Sequence, residues 1–290
     1  MNDAIQLPHA PGIPGLRFRH FRAGRDFEHM SAILRASAEV DDTERSETPE
    51  DLENYFAHLT NCDPYTDMIF AEVDPGHGGE PQVIGYARGA WRMEASGERR
   101  YMFFVRILPQ WRRKGIDQAM LDWMERRLRE IAGGHPTEVE KFFLSLAEQG
   151  ERDLAALLEQ NGYQPARYGF EMVRPDLENI PDPPLPEGLE VRPVLPEHYR
   201  AIWEADSEAF RDHWGSSSQA KRITRHGWWT RAPFSRSCGR LPGISRRTRW
   251  PVRCGRISIT SRTSSIIASV AGPSSSVCGD PSAGAGWRGR

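Results

Sequence analysis

The sequence predicts an α/β protein of the α+β kind, in which a mixed, mostly antiparallel sheet is flanked by helices. Three observations predict it. The apolar residues change repeatedly between a period of two and the spacing of a helix. Glycine-bearing turns separate three consecutive strand-like segments, as in an antiparallel meander. The resulting order, β-α-α-β-β-β-α-β-α-β, favours one sheet with helices on its faces.

The first elements are a strand and two helices. Residues Leu16–Phe21 alternate as a half-buried strand does, and the apolar residues that follow have helical spacing. A second helix is predicted to begin at Thr48 and to run through Leu59. Thr can cap a helix, Pro49 suits the first helical position, and acidic residues favour the first turn.

The meander and a second group of helices follow. Three segments rich in β-branched and aromatic residues predict strands at Met68–Val73, Gln82–Trp91 and Tyr101–Leu108. The last one leads into a helix whose apolar face is formed by Met120, Leu121, Met124, Leu128 and Ile131. Beyond it we predict a strand at Phe142–Leu146, a short helix at Glu151–Gln160 and an extended segment through Met172.

The net charge of −2 over 290 residues conceals a split. From Ser216 onward the chain has 13 Arg and one Lys against one acidic residue, which leaves −15 on residues 1–215. No apolar run approaches the roughly 20 residues that span a bilayer, and no signal peptide is recognisable, so we expect a soluble, cytoplasmic protein. The four Cys and nine His show no metal-ligand spacing, and we expect no metal.

Four regions are predicted along the chain. Residues 1–175 form the first domain, and residues 176–188 form a Pro-rich linker. Residues 189–215 repeat the opening, because Gly15–Phe21 and Gly188–Val194 share the pattern G-L-x-φ-R-x-φ, where φ is apolar. They would begin an incomplete second copy. Residues 216–290 form a basic tail with 15 Ser and no Glu, which we expect to be poorly ordered.

A basic, glycine-containing loop is the motif that indicates chemistry. The predicted strand ending at Leu108 leads into Arg112-Arg113-Lys114-Gly115, which opens a helix. Backbone N–H groups and the helix dipole at such a junction can bind a phosphate. Three adjacent cations are more commonly a solvated turn, but this loop directly follows a strand whose end could hydrogen-bond an extended ligand.

This arrangement resembles the GCN5-related N-acetyltransferase (GNAT) superfamily, whose signature is a strand ending V-x-P, then R/Q-x-x-G-x-G/A and a helix. Here the corresponding residues are Ile107-Leu108-Pro109 and Arg112 to Asp117, and Asn161-Gly162-Tyr163 resembles the later x-G-F. The resemblance covers about Leu16 to Arg174. It implies acetyl-CoA as cosubstrate, with the loop amides on its pyrophosphate and the strand end on its pantetheine arm. The residues so implicated are Val105, Arg106, Ile107, Arg112, Arg113, Lys114, Gly115, Ile116, Asp117 and Gln118.

The sequence identifies no catalytic pair. Asp117 stands where the family has Gly or Ala, which places a negative charge near the expected pyrophosphate but also stabilises an empty helix N-terminus. The family's Tyr before x-G-F is replaced by Leu158. Possible bases are Glu94 and Glu98 and possible acids are Tyr163 and Tyr168, although turn carboxylates and packed rings are commoner roles for such residues. The aromatic residues Trp91, Tyr101 and Phe103 indicate either an acceptor cleft or sheet core.

The resemblance implies an N-acetyltransferase that acts on a primary amine of a small molecule or a protein. The alternative is a degenerate acyl-CoA-binding or structural domain. A nucleic-acid-binding tail is a weaker third reading, and we expect neither nucleic acid nor membrane as partner. The tail composition also fits a GC-rich gene that is read out of frame. If the codons of residues 271–290 are shifted by a fixed number of bases, they can encode a strand, a Pro and the pattern R-x-x-G-x-A. We therefore interpret the chain as a tandem acetyltransferase resembling the mycothiol synthase type, frameshifted after about Gly215.

Overall fold

The computed structural model describes residues 4–76, 78–94, 96–172, 176, 178–210 and 259–271. The strands are β1 (Ala4–Ile5), β2 (Leu16–Arg19), β3 (Met68–Val73), β4 (Gln82–Met93), β5 (Arg99–Ile107), β6 (Lys141–Ala147), β7 (Gln164–Met172) and β8 (Ile259–Ala271). The helices are α1 (Arg25–Asp41), α2 (Pro49–Phe56), α3 (Ile116–Gly133), α4 (Arg152–Gln160) and α5 (Tyr199–Ala209), with short 3₁₀ turns at Pro109–Trp111 and Pro196–His198.

The described strands form one mixed sheet in the order β1-β2-β3-β4-β5-β6-β8-β7. The pairs from β1 to β4 are antiparallel, and β3 and β4 change register between Ala71 and Glu72. The pair of β5 and β6 is parallel. Because parallel neighbours need a crossover, helix α3 connects these two strands and lies against the sheet. The fold is thus a mixed, mostly antiparallel sheet flanked by helices, as the sequence predicts.

The core lies between the sheet and helices α1 and α3. Its largest fully buried side chains are Met30 and Ile33 of α1, Met68, Ile69 and Phe70 of β3, Ile84 of β4, Tyr101 and Phe103 of β5, and Ile116, Met120, Leu121 and Met124 of α3. Helix α3 approaches β4 closely, since a Cβ at Gly89 would lie 2.6 Å from Cε of Met124. This contact fixes α3, and with it the loop at its N-terminus, against the centre of the sheet.

Helix α2 begins as the sequence predicts and ends earlier. The Thr48 hydroxyl accepts a hydrogen bond from the Asp51 amide at 3.2 Å, and the Asp51 carboxylate accepts one from the Thr48 amide at 3.1 Å. This capping box satisfies amides that the first turn leaves unpaired. The helix stops at Phe56 rather than Leu59, where two overlapping turns, from Tyr55 to His58 and from Phe56 to Leu59, replace the helical pattern.

Two strands of the structure were not predicted. Strand β1 has only two residues, too few for a period to show. Strand β8 lies in the basic tail and pairs antiparallel with β6, from Phe142 opposite Ala271 to Ala147 opposite Ile266. Its Ile, Thr and Val residues suit a strand, but they do not alternate as a half-buried strand would. The expectation of disorder for residues 216–258 and 272–290 lies outside the described residues.

The structure separates into two units, and the second contains helix α5. The helix predicted there forms at Tyr199–Ala209. Residues 189–194 form no strand, although their pattern matches that of β2. Val191 in this stretch is 85% exposed, so the apolar side chains that would favour a strand have no sheet to cover them. No helix in the described ranges is long and apolar enough to cross a membrane.

Candidate functional site

Strands β5 and β6 part at one end, which opens the sheet. Their parallel pairing runs from Arg99 opposite Lys141 to Phe103 opposite Ser145, and the Ser145 hydroxyl donates to the Phe103 carbonyl at 3.1 Å. Strand β5 continues to Ile107 without further pairs to β6. The backbone of Phe104 to Ile107 therefore faces the opening on this side. Three predicted site residues, Val105, Arg106 and Ile107, lie in this stretch.

The basic loop joins the end of β5 to helix α3. After the 3₁₀ turn at Pro109–Trp111, Arg113 and Gly115 adopt left-handed conformations with φ of 58° and 81°. Gly115 is the N-cap of α3, so Ile116, Asp117 and Gln118 form its first turn. Free amides at a helix N-terminus and a left-handed turn beside it form a concave anion site. The structure thus brings the predicted residues 112–118 together at one place.

Arg112 turns inward instead of facing this site. Its guanidinium donates to both carboxylate oxygens of Asp41 at 2.6 Å, and its Nε donates to the Ile107 carbonyl at 3.2 Å. The Arg112 side chain is 14% exposed and that of Asp41 is 6% exposed. The Arg112 side chain therefore holds the loop against the end of α1, and only its backbone is left for the role that the resemblance implies.

The other two cations of the loop also have partners within the chain. Arg113 forms an ion pair with Asp153 of α4. The ammonium of Lys114 lies 4.7 Å from the ring centroid of Trp111, a cation–π contact. Both side chains are exposed at the loop and can be drawn away from these partners at small cost.

Asp117 occupies the position of an anion in the loop. Its carboxylate accepts hydrogen bonds from the amides of Arg113 at 3.2 Å and of Gln118 at 3.1 Å. These two amides belong to the segment that the resemblance assigns to a pyrophosphate. They converge on one negative group, so the loop is built to bind an anion, and a phosphate there requires the Asp117 side chain to turn away.

A network of ion pairs lies beside the opening. Arg106 pairs with Glu151 at 3.2 Å, and Arg45 pairs with Glu151 at 3.0 Å and with Glu148 at 2.7 Å. Burial lowers the pKa of Arg106, which is 5% exposed. Burial is also the main cause that raises the pKa of Glu148, and Glu151 adds to it against the opposing charge of Arg45. The sequence analysis missed Arg45, Glu148 and Glu151, because their loops carry no periodic signal.

The comparisons with known proteins agree with this geometry. Residues 30–145 match the model of a family described as the acetyltransferase (GNAT) family. The match supports a GNAT acetyltransferase domain in this chain. A GCN5-related N-acetyltransferase from Sphaerobacter thermophilus is 20% identical over 72% of this chain and 62% of that chain, with a TM-score of 0.55, so this chain spans less than two thirds of that protein. No curated protein sequence matches.

Two further solved structures resemble this chain more weakly. The N-acetyltransferase from Staphylococcus aureus Mu50 is 14% identical over 53% of this chain and 86% of that chain, with a TM-score of 0.40. The yncA protein from Salmonella typhimurium, solved with its cofactor acetyl-CoA, is 16% identical over 55% and 83% of the two chains, with a TM-score of 0.37.

The structure describes the surroundings of four of the residues considered as acid or base, or as replacing one. Leu158 is buried and apolar. The Tyr163 hydroxyl donates to Glu125 at 2.8 Å, and burial together with Glu125 raises its pKa far above the ordinary value, so it holds its proton firmly. Glu98 pairs with Arg100 at 3.1 Å. Tyr168 is half exposed on β7.

The three aromatic residues considered for an acceptor cleft belong to the core or to another cluster. Phe103 and Tyr101 are buried, and the Tyr101 hydroxyl lies 2.8 Å from Nδ1 of His135. The Trp91 ring packs on His135 with 4.3 Å between centroids. This cluster lies at the paired beginning of β5, whereas the opening lies at its other end. In the described residues no cluster of His, Cys, Asp and Glu could hold a metal ion.

Proposed function

We propose that this chain is an acetyl-CoA-dependent N-acetyltransferase that transfers an acetyl group to a primary amine of a small molecule or peptide. One observation carries the proposal: the sheet opens between β5 and β6 directly before an anion-binding loop at the N-terminus of α3. This geometry suits an extended ligand with a phosphate at one end. It also agrees with the family match of residues 30–145.

Acetyl-CoA, when bound, supplies an acetyl group activated as a thioester. The amides of Arg113 to Gln118 would bind its pyrophosphate once Asp117 turns away, and the backbone of Phe104 to Ile107, which makes no pairs with β6, would pair with its pantetheine arm. Glu148 would accept a proton from the ammonium group of the acceptor, and the neutral amine would then attack the thioester carbonyl and release CoA as the thiolate. The Glu148 carboxylate lies directly after β6 and is 29% exposed, so a ligand in the opening can reach it.

The direct test is calorimetric titration of acetyl-CoA into the full chain. We expect saturable binding of acetyl-CoA, with an affinity that Asp117 lowers. When an amine is supplied, we expect the release of free CoA. Saturable binding with no turnover of any amine would select the second candidate, a degenerate acyl-CoA-binding domain, which the occupation of the loop by Asp117 favours. Absence of any acetyl-CoA binding would contradict both.

A Glu148→Gln substitution is expected to lower kcat by about 100-fold or more, because it removes the proton acceptor. A base acts in its ionised form, and burial raises the pKa of Glu148. The wild-type rate should therefore fall with decreasing pH at a higher pH than an ordinary Glu would give, and the variant should lack this step. Rates of CoA release across pH measure both. Glu159→Gln, an exposed change on α4, is the control, and equal rates in the two variants would refute the role of Glu148.

The domain organisation and the origin of the tail are proposals that rest on the sequence. We propose a first domain at 1–175, a linker at 176–188, the start of a second acetyltransferase domain at 189–215, and an out-of-frame tail at 216–290, derived from a tandem protein of the mycothiol synthase type. The repeated G-L-x-φ-R-x-φ pattern and the tail composition support it. Sequencing the gene tests it, since an intact alternative frame must encode the missing strand and loop. The cytoplasm remains our proposed location.

A further inference from the structure

Arg88 of β4 is a half-buried cation that has no carboxylate partner among the described residues. Its guanidinium donates to the Tyr55 hydroxyl at 3.0 Å and also interacts with the thiol of Cys62. It lies 5.0 Å from the ring centroid of Tyr55, 5.7 Å from that of Phe56 and 5.5 Å from that of Phe104. Arg88 is partly exposed, so a ligand from solution can reach those of its N–H groups that no protein group accepts.

The surrounding rings solvate only part of the guanidinium. An aromatic face attracts the charge, but the N–H groups point outward in the guanidinium plane and need acceptors. Tyr55 and Phe56 come from α2 and Phe104 comes from β5, so the rings of two elements lie against the guanidinium and leave its edge for a ligand. That edge matches a carboxylate, which can accept two parallel hydrogen bonds from it.

The Arg88 cluster, formed by Arg88, Tyr55, Phe56 and Phe104, lies beside the opening of the sheet. Phe104 is the first residue of β5 beyond the last pair with β6. Its ring lies 5.5 Å from the guanidinium of Arg88 and 5.9 Å from that of Arg106, which belongs to the ion-pair network at the opening. Arg45 and Arg106 are both neutralised by Glu148 or Glu151, whereas Arg88 is not.

We infer that Arg88 binds a carboxylate of the acceptor, and that the acceptor is a small molecule of the amino-acid class, with a primary amine and a carboxylate in one molecule. This inference rests on the proposed function, because it places the amine at the opening where the acetyl group would be. The carboxylate on Arg88 orients the molecule, and Glu148, directly after β6 on the other side of the opening, receives the proton. A protein lysine or a polyamine lacks the anion that completes the cluster.

The test compares matched acceptors with the full chain. Leucine, phenylalanine, methionine and 4-aminobutyrate are each assayed for CoA release beside the corresponding carboxamide, after acetyl-CoA binding has been measured by calorimetry. We expect kcat/KM for at least one acid to exceed that for its amide by about 10- to 100-fold, the range of a charge-assisted hydrogen bond. Arg88→Gln should remove this preference through KM, and its calorimetric binding of acetyl-CoA and its thermal unfolding show whether the variant is folded.

Two further variants and the possible outcomes complete the test. Arg88→Lys keeps the charge without the planar fork and should retain only part of the preference. Arg25→Gln, at a residue of α1 whose side chain is 76% exposed, should retain all of it. Equal use of acids and amides, or acetyl-CoA binding with no acetylation of any acid in the panel, overturns the inference and leaves the proposed function standing. Failure to bind acetyl-CoA refutes the proposed function, and the inference falls with it.

Discussion

An Asp117→Gly variant is expected to bind acetyl-CoA about 10- to 100-fold more tightly than the wild-type chain. In the wild type the Asp117 carboxylate accepts hydrogen bonds from the amides of Arg113 and Gln118, so a phosphate must displace it. The displaced carboxylate stays close to the phosphate. At about 5 Å and an effective dielectric of about 20, one such pair of like charges costs roughly 3 kcal/mol before screening by salt.

The same substitution should lower the stability of the ligand-free protein. Asp117 lies in the first turn of α3, where a carboxylate offsets the helix dipole and satisfies free amides. Losing it, and placing Gly in a helix, costs about 1 to 2 kcal/mol. Affinity and stability should therefore change in opposite directions, which a general loosening of the loop would not produce.

Calorimetry with acetyl-CoA and thermal unfolding measure the two effects. Asp117→Asn separates charge from shape, since it removes the negative charge and keeps the side-chain volume. Asp122→Asn is the matched control, an acid-to-amide change on the same helix with no hydrogen bond to the loop amides. An affinity for acetyl-CoA that is unchanged in both Asp117 variants would show that the loop does not bind the pyrophosphate.

The sequence predicts the backbone of the site better than its side chains. The order of strand, loop and helix follows from periodicity and from Gly115, whose φ of 81° few other residues adopt. The direction in which each Arg side chain points does not follow from the sequence, because Arg112 and Arg113 are adjacent and chemically identical. Only the folded chain shows that one meets the buried Asp41 and the other the partly exposed Asp153. Glu148 and Arg88 were missed for the same reason, since their partners come from distant segments.

Strand β8 was not predicted because its structure depends on pairing with a strand that is distant in the sequence. Its thirteen residues include six Ser or Thr residues in a strongly basic region, a composition that predicts disorder from the sequence. The edge of β6 supplies unpaired backbone groups, and pairing with them decides the conformation of Ile266 to Ala271. A prediction from local composition alone does not take the pairing with β6 into account.

An Arg112→Met substitution is expected to destabilise the protein by about 3 to 5 kcal/mol, because it leaves the buried carboxylate of Asp41 without its partner. Methionine retains most of the apolar contact of the Arg112 stem, so the loss reports mainly the charge. It also removes the hydrogen bond from Nε to the Ile107 carbonyl, which ties the loop to the end of β5. In a domain of this size we expect the thermal midpoint to fall by about 10 °C.

Arg113→Met is the matched control for this prediction, because it is the same change at the next residue. Its side chain is 76% exposed, so its ion pair with Asp153 should contribute less than about 1 kcal/mol. Combining Arg112→Met with Asp41→Asn should recover part of the loss, since no buried charge is then left alone, and the double-mutant cycle gives the coupling between the two residues. If urea unfolding shows that Arg112→Met and Arg113→Met cost the same, the pair of Arg112 and Asp41 does not hold the loop. A large loss confined to Arg112 would mean that the first cation of the motif serves the structure of the site and that anion binding depends on the backbone amides.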